Sequence, residues 1–192
     1  MRISGGIVKG RRTATQKLLK KTSTIERLRP TSSKVREAIF DILRNKIEGS
    51  RFVDLYAGTG TVGFEALSRG SSRAVFVEMD KLLVEEIKKN ICKFGFEEKA
   101  QVINTTAEEF LKKAFVIKEI FDIFFVDPPY YSEEIEKVLP LIGEKGLLNE
   151  NGLIIVEHFF KKRVTENLDN LKIHRSYRYG DTMLTFYKRK DI

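Results

Sequence analysis

Apolar and polar residues are arranged along this chain in blocks whose period changes repeatedly. Short apolar runs are each followed by a longer amphipathic stretch, which predicts strands alternating with helices. The predicted strands that alternate with helices are RFVDLY, RAVFVE, AQVIN, FDIFFVD and GLIIVEH. Two more strands, in LKIHRSYRY and TMLTFYKRK, are predicted about a turn at Gly180 and Asp181. This order predicts an α/β fold with a mostly parallel seven-stranded sheet and a C-terminal antiparallel hairpin.

The helices between the strands have recognisable ends. A first helix follows Thr31 or Ser32, either of which can cap it, and two later helices stop at Gly70 and Gly95. In EEIEKVLPLIGEKG, Pro140 is expected to kink the helix or to end its first half. Ahead of the first helix, glycines among basic residues predict a short hairpin followed by a mobile loop.

Length and composition indicate one globular domain. The chain has 192 residues, of which 42% are hydrophobic and 32% charged. No apolar run is long enough for a membrane helix, and the basic N-terminus is not followed by the apolar region of a secretory signal. One cysteine and two histidines argue against a disulfide framework and a structural zinc site. We therefore expect a cytoplasmic monomer that binds no metal and no membrane.

Positive charge is concentrated at the N-terminus. Residues 1–36 contain eleven Lys and Arg against one acid, a net charge of +10, which leaves −2 for the remainder of a chain whose total is +8. Such a basic segment most often contacts nucleic acid, although a solvated tail has the same composition. We therefore divide the chain into a basic arm, residues 1–30, and a main part, residues 31–192, within one domain.

A glycine-rich loop follows the first strand. DLYAGTGTVG contains Gly58-x-Gly60-x-x-Gly63, and Glu78 lies twenty residues after Gly58, which matches the dinucleotide fingerprint. Nicotinamide enzymes and S-adenosylmethionine (SAM) enzymes both show this pattern. Asp54 favours SAM, because its carboxylate suits the sulfonium and amino cations and would repel a pyrophosphate. Alternatively, Asp54 only caps the helix that follows the loop.

The end of the third strand, INTTAEEF, also carries candidate cofactor contacts. Thr106 and Ala107 occupy the place where the adenine of SAM commonly meets a polar side chain and a backbone donor. The alternative is a capping box, in which Thr106 and Glu109 satisfy the start of the next helix.

The fourth strand ends on Asp127-Pro128-Pro129-Tyr130-Tyr131. The Asp127 carboxylate and the Pro128 carbonyl can accept the two N–H groups of an exocyclic base amine, so that the nitrogen lone pair faces a methyl donor. The prolines fix φ and remove competing donors. Tyr130 can stack on a base that has been flipped out of its helix. The alternative is a rigid turn with core tyrosines.

Several blocks together resemble the RsmD family of bacterial 16S rRNA (guanine-N2)-methyltransferases. They are MRISGGIVKGRR, RPTSSKVREAIFDIL, FVDLYAGTGTVGFEALSRG, FVEMD, DPPY and YGDTMLTFY, and they cover nearly the whole chain. The resemblance implies a Rossmann-like class I SAM-dependent methyltransferase fold with SAM as cofactor. It also implies that the substrate is the N2 amine of one guanine, guanine 966, of the 16S rRNA in a small-subunit assembly intermediate.

The resemblance assigns roles residue by residue. The catalytic residues are Asp127, Pro128, Pro129 and Tyr130. The residues expected to bind the cofactor are Arg29, Thr31, Asp54, Tyr56, Gly58, Gly60, Glu78, Met79, Thr106, Ala107 and Asp127. The residues expected to bind RNA are Arg2, Lys9, Arg11, Arg12, Arg29, Arg36 and Tyr131. One departure from the family pattern is Thr106, which stands where an acid is common.

Three other functions are compatible with the same motifs. Another amino-methyltransferase could use the Asp-Pro-Pro-Tyr corner on adenine N6 of DNA or on a glutamine amide. The basic arm argues against a peptide or small molecule, and the short chain leaves no separate domain for reading a DNA sequence. A nicotinamide oxidoreductase would bind NADH and not SAM. A non-catalytic assembly factor would bind RNA without turnover.

Overall fold

The computed structural model describes residues 1–13, 32–129, 132–144, 146–166 and 168–190. The elements in these ranges are α1 (Ser33–Ile42), β1 (Arg51–Asp54), α2 (Thr61–Ser68), β2 (Arg73–Glu78), α3 (Lys81–Phe94), β3 (Ala100–Asn104), α4 (Ala107–Val116), β4 (Phe121–Val126), α5 (Glu134–Glu144), β5 (Leu148–Phe159), β6 (Leu171–Tyr179) and β7 (Thr182–Arg189). The predicted alternation of strands and helices is confirmed. The expected roles of Arg29, Thr31, Tyr130 and Tyr131, and the expected mobile loop of the arm, lie outside the described residues.

The first compact unit is formed by residues 1–105. Its three strands are parallel in the order β3-β2-β1, and Val75 of β2 pairs with Val53 of β1. Parallel strands covered on both faces need continuous apolar runs, which RFVD and RAVFVE supply. Aromatic side chains join the helices to this part of the sheet. The ring of Phe64 in α2 lies 4.9 Å from that of Phe76 in β2 and 5.1 Å from that of Phe94 in α3.

The second unit starts at residue 106, and its strands follow the order β4-β5-β7-β6. β4 and β5 are parallel, with Val126 opposite Val156 at their carboxyl ends, whereas β7 pairs antiparallel with both β5 and β6. The chain therefore contains a mixed seven-stranded sheet whose C-terminal hairpin is antiparallel. The predicted fold class is confirmed.

Helix ends follow the local sequence signals, with one exception. Ser32 is the N-cap of α1 and accepts a hydrogen bond from the Val35 amide, and Gly95 ends α3 in the left-handed conformation. Of the two outcomes expected at Pro140, the end of the helix is wrong, because α5 continues through it to Glu144, and the kink stays a prediction. Proline removes one backbone hydrogen bond, and burial of one apolar face offsets that loss. The buried residues of that face are Ile135, Val138, Leu139 and Ile142.

The predicted N-terminal hairpin is present within residues 1–13. Arg2 and Arg12 form an isolated antiparallel bridge, and the Ile3 amide donates to the Arg11 carbonyl at 2.9 Å. The hairpin packs against the C-terminal end of α2, where the Ile7 amide donates to the Ser68 carbonyl at 2.8 Å. Because the last carbonyls of a helix lack internal partners, the hairpin completes the hydrogen bonding of α2.

A buried carboxylate joins this hairpin to the rest of the first unit. Glu65 in α2 is fully buried and accepts hydrogen bonds from the Ser4 amide at 2.7 Å and the Ser4 hydroxyl at 2.8 Å. Its charge is matched by Arg69 at 2.8 Å and Arg36 at 3.5 Å. A buried charge requires partners of this kind, so the arrangement depends on all of its members.

Across the described residues, no helix is long and apolar enough to cross a membrane. The same residues contain no group of three or more His, Cys, Asp or Glu side chains that could hold a metal ion.

Candidate active site

Asp54 is the last residue of β1 and is 1% exposed. Its carboxylate accepts a hydrogen bond from the Gly63 amide at 3.0 Å, in the first turn of α2. Asp54 thus satisfies one amide of the first turn of α2, but the N-cap residue is Gly60, and the alternative that Asp54 has only a capping role stays untested. Such a contact leaves acceptor capacity on the carboxylate, so a structural role and a ligand role are compatible.

Burial raises the pKa of Asp54 to about 7, from an ordinary value of 3.8. The neighbouring Glu78 charge raises it further, and the hydrogen bond from Gly63 acts in the opposite direction. A buried carboxyl group of this kind gains most from a cation, because a cation favours its ionised form. SAM carries cations at both its amino and its sulfonium groups, so the site fits that ligand.

Glu78 is the last residue of β2 and is held by two backbone donors. The Gly58 amide donates to one carboxylate oxygen at 2.7 Å, and the Asp80 amide donates to the other at 2.8 Å. The turn that follows β1 brings the Gly58 amide to the Glu78 carboxylate, with φ of +54° at Gly58 and +71° at Gly60. Glycine adopts these positive φ values more readily than other residues. Burial raises the pKa of Glu78 as well. Each oxygen can still accept a hydroxyl hydrogen, as the ribose of SAM would require.

An exposed apolar side chain follows Glu78. Met79 is 72% exposed, and the Asn104 amide nitrogen donates to the carbonyls of Glu78 at 2.9 Å and Met79 at 3.0 Å. Leu82, 52% exposed, lies in the first turn of α3. These apolar surfaces suit the flat face of an adenine. Neither Asn104 nor Leu82 belongs to a sequence motif, so neither could be predicted as a site residue. Tyr56, half-buried, follows β1.

At the start of the second unit, Thr106 is the N-cap of α4. Its hydroxyl accepts a hydrogen bond from the Glu109 amide at 3.3 Å, which confirms the capping interpretation for that side chain. Ala107, buried, is the first residue of the helix. Their contact with adenine stays a prediction.

The Asp-Pro-Pro corner follows β4 in the second unit. Asp127 and Pro129 are half-buried, and Pro128 is buried. The Pro129 carbonyl accepts two hydrogen bonds from Ser132, from its amide at 2.9 Å and its hydroxyl at 2.7 Å. The Lys162 ammonium group donates to the Ser132 carbonyl at 2.5 Å. The segment after the corner is therefore held to the chain that follows β5.

The expected RNA-binding residues that the structure describes divide into two groups. Arg2, Lys9, Arg11 and Arg12 are exposed, as nucleic-acid binding requires. Arg36 is 4% exposed and donates to the Arg2 carbonyl at 2.7 Å besides facing Glu65. The expectation that Arg36 contacts RNA is therefore corrected: its guanidinium is part of the buried cluster that holds the hairpin. A charge count cannot separate it from its exposed neighbours.

The strand-end acids, the glycine turn and the mixed seven-stranded sheet define the fold class of SAM-dependent methyltransferases. Within that class, the chain belongs to the family described as "Conserved hypothetical protein 95", whose model matches residues 1–188. This confirms the resemblance to the RsmD family.

Individual relatives agree with this membership. The chain is 36% identical to the Bacillus subtilis protein named "Putative rRNA methyltransferase YlbH", over 99% of this chain and 100% of that protein. It is 33% identical to "Ribosomal RNA small subunit methyltransferase D" of Escherichia coli K12, over 85% of this chain and 80% of the relative. Among solved structures, the Escherichia coli protein yhhF superposes with a TM-score of 0.81 at 30% identity, covering 100% of this chain and 99% of the other.

Proposed function

We propose that this protein transfers a methyl group from SAM to the N2 amine of a guanine in 16S rRNA of the small ribosomal subunit. The observation that carries the proposal is the Asp-Pro-Pro corner at the carboxyl end of β4, in a chain that the family model matches almost throughout. The Escherichia coli relative named as a ribosomal RNA small subunit methyltransferase and the Bacillus subtilis relative named as a putative rRNA methyltransferase support the substrate class. Guanine 966, as implied by the family resemblance, is the target nucleotide that we propose.

The cofactor would be held by residues of two strand ends and the turn between them. Asp54 faces the cationic methionine part, with Gly58 and Gly60 allowing close approach of the backbone. Glu78 accepts the ribose hydroxyls, and Met79 covers the adenine. Ala107 provides a backbone donor to the adenine. When bound, SAM supplies an electrophilic methyl group, and no metal is required.

Asp127 and Pro128 are proposed to position the amine that is methylated. The Asp127 carboxylate accepts one N–H, and the Pro128 carbonyl accepts the other, so the nitrogen lone pair is directed at the methyl group. The Pro129 carbonyl already accepts two hydrogen bonds from Ser132, which makes it the weaker candidate. When the amine takes the methyl group, the S–C bond of SAM would break to leave S-adenosylhomocysteine, and the Asp127 carboxylate would accept the proton that the amine loses. Positioning of this kind lowers a barrier by roughly 7–11 kcal/mol in favourable cases.

RNA is proposed to approach over the exposed cations of the N-terminal hairpin. Arg11 is preorganised there, because its guanidinium donates to the Lys93 carbonyl at 2.7 Å and lies 5.7 Å from the centre of the Phe94 ring. Arg2, Lys9 and Arg12 add charge on the same short hairpin. Each phosphate contact should contribute to a salt-dependent affinity. The substrate is a small-subunit assembly intermediate in the cytoplasm.

The experiment is methyl transfer from labelled SAM to small subunits from a strain that lacks the protein, followed by nucleoside analysis. Label in N2-methylguanosine of 16S rRNA supports the proposal. Label in adenine or in glutamine would show that the protein is an amino-methyltransferase with another substrate. RNA binding without methyl transfer would indicate an assembly factor. Asp127→Ala should abolish transfer while keeping SAM binding. Asp122→Ala, at the other end of β4, is the matched control.

A further inference from the structure

A second concentration of positive charge lies near the C-terminus. Residues 160–190 contain nine Lys and Arg against three acids, a net charge of +6, whereas residues 37–159 contain fifteen against twenty-two, a net charge of −7. Part of this charge lies on β6, which is at the end of the strand order in its unit. Charges on an edge strand also prevent edge-to-edge association, so charge alone does not identify a binding site.

The geometry around Phe160 is more specific. The guanidinium carbon of Arg178 lies 3.8 Å from the centre of the Phe160 ring, and its Nε donates to the Gly180 carbonyl at 2.9 Å. The Lys161 ammonium lies 5.6 Å from the centre of the same ring. The backbone of Phe160 is fixed, because its amide donates to the Asp181 carbonyl at 3.0 Å, and its ring lies 4.9 Å from that of Phe159. We refer to Phe160, Lys161 and Arg178 as the Arg178 cluster.

This arrangement favours phosphate binding over a purely protective role. Arg178 and Lys161 are exposed, yet the guanidinium plane is already oriented by the ring and by the turn carbonyl. A planar guanidinium held in this way loses little entropy on binding and can offer two parallel N–H donors to a phosphate. Preventing edge association would need only flexible charged side chains. The orientation of Arg178 is therefore the observation that points to a ligand.

The position of the Arg178 cluster in its unit links it to the Asp-Pro-Pro corner. Val156 of β5 lies opposite Val126 of β4 in a parallel pair, so both strands run toward the same end of the sheet. Phe160 lies immediately beyond the end of β5, as the corner does beyond the end of β4. Lys162, two residues after Phe160, donates to the Ser132 carbonyl and lies 3.3 Å from Glu136. Direct contacts thus connect the two segments.

We propose that the Arg178 cluster binds the RNA sugar-phosphate backbone next to the nucleotide that is methylated. This inference rests on the proposed function, and it adds a contact that the basic arm does not supply. A flipped nucleotide must be held by its neighbours while its base enters the site, and phosphate contacts position without reading sequence. The oriented guanidinium of Arg178, which stacks on the residue that follows β5, has the chemistry for that role.

The test compares Arg178→Met and Lys161→Met with Lys113→Met, which removes the same charge from an exposed position on α4. The probe is a mixed-sequence single-stranded oligoribonucleotide, titrated over a range of salt concentrations. We expect Arg178→Met to weaken binding at least fivefold and to lower the salt slope by about 0.7, the value for one phosphate on a single strand. Lys113→Met should retain the wild-type slope. Arg178→Lys should keep the slope but bind more weakly than wild type.

A second measurement keeps the inference testable if Arg178→Met is less stable. All variants are measured at a temperature at which each is folded. Because the Arg178 cluster is not proposed to bind SAM, an unchanged SAM affinity shows that a variant has kept its fold. With small subunits as substrate, the expected effect is a higher KM for the Arg178 variant. Equal salt slopes and equal KM for Arg178→Met and Lys113→Met would overturn the inference. Absence of methyl transfer by the wild-type protein would instead reject the proposed function.

Discussion

The amide of Gly58 donates a hydrogen bond to the carboxylate of Glu78 at 2.7 Å, although the two residues lie twenty positions apart in the chain. This hydrogen bond holds the glycine turn after β1 against the end of β2. Because the Glu78 carboxylate is already oriented, binding of a ribose would not need to order this side chain. The entropic cost of binding is therefore lower.

Replacement of Glu78 by Ala should weaken SAM binding by roughly ten- to a hundredfold, since a hydrogen bond to a charged group contributes about 1.5–3 kcal/mol. Isothermal titration calorimetry would measure the change. Glu78→Gln keeps one acceptor oxygen and should lose less affinity. If Glu78→Ala binds SAM as well as the wild type, Glu78 does not contact the cofactor.

The free energy of unfolding should contain a pH-dependent contribution from Asp54. The unfolded chain loses this proton near pH 3.8, whereas the folded protein keeps it up to about pH 7. Between these values the folded state binds more protons, so stability falls as pH rises through the window and then levels off. The full difference amounts to about 4 kcal/mol. Denaturant titrations at pH 5 and pH 8 would measure it.

Asp54→Asn is the matched variant for that experiment, because its amide oxygen can still accept the Gly63 hydrogen bond. We expect the variant to lose the decline in stability between the two pH values. An unchanged decline would show that another group is responsible.

Affinity for SAM should rise with pH in the same range. Asp54 and Glu78 both have raised pKa values, and the ionised form of Asp54 is the one that attracts a cation. Below about pH 7, binding must release a proton from Asp54, so affinity should fall by as much as tenfold per pH unit. Titration of SAM at pH 6 and pH 8 would measure this dependence. The same affinity at both values would contradict it.

Glu65→Gln should destabilise the protein by about 3–5 kcal/mol, because Arg36 and Arg69 would keep their charges without the buried carboxylate. The hairpin should also separate from α2, which trypsin cleavage after Lys9 would report. Glu85→Gln is the control, since Glu85 forms an exposed ion pair with Lys88 and should change stability little. Equal trypsin resistance of the two variants would count against this role of Glu65.

Lys162→Met should lower kcat by roughly ten- to a hundredfold, because a misplaced reacting group can cost that much. The Lys162 hydrogen bond to Ser132 fixes the segment after the corner, so SAM affinity should stay unchanged. Lys162→Arg, which can still donate to the Ser132 carbonyl, should restore part of the rate. Loss of SAM binding in Lys162→Met would instead indicate a general structural defect.

The position of an acid at the end of β1 and of β2 was predictable because it depends on a local pattern, whereas β5 begins at Leu148, before the predicted Gly152. Asp54 and Glu78 stand where apolar runs stop, and Gly95 ends a helix by its own conformation. The helix does not end at Pro140, because burial of the apolar face of α5 outweighs one missing hydrogen bond. Local sequence gave no measure of that balance.

Other features depend on contacts between distant residues and could not be read from the sequence. Glu65 looks like an ordinary polar position of a helix, yet Ser4 and Arg36 bury it. Lys162 lies thirty residues after Ser132, and no motif connects them. A charge count also treats Arg36 as equal to Arg11, although one is buried and the other exposed.

The docking of the N-terminal hairpin on α2 has a consequence for the order of folding during synthesis. Ser4 and Glu65 are 61 positions apart, and Gly5 and Ser68 are 63 apart. Residues 1–13 leave the ribosome before α2 is made, and closing a loop of this length costs entropy. The hairpin is thus expected to dock late in the folding of its unit, and until then its exposed cations are available to other partners.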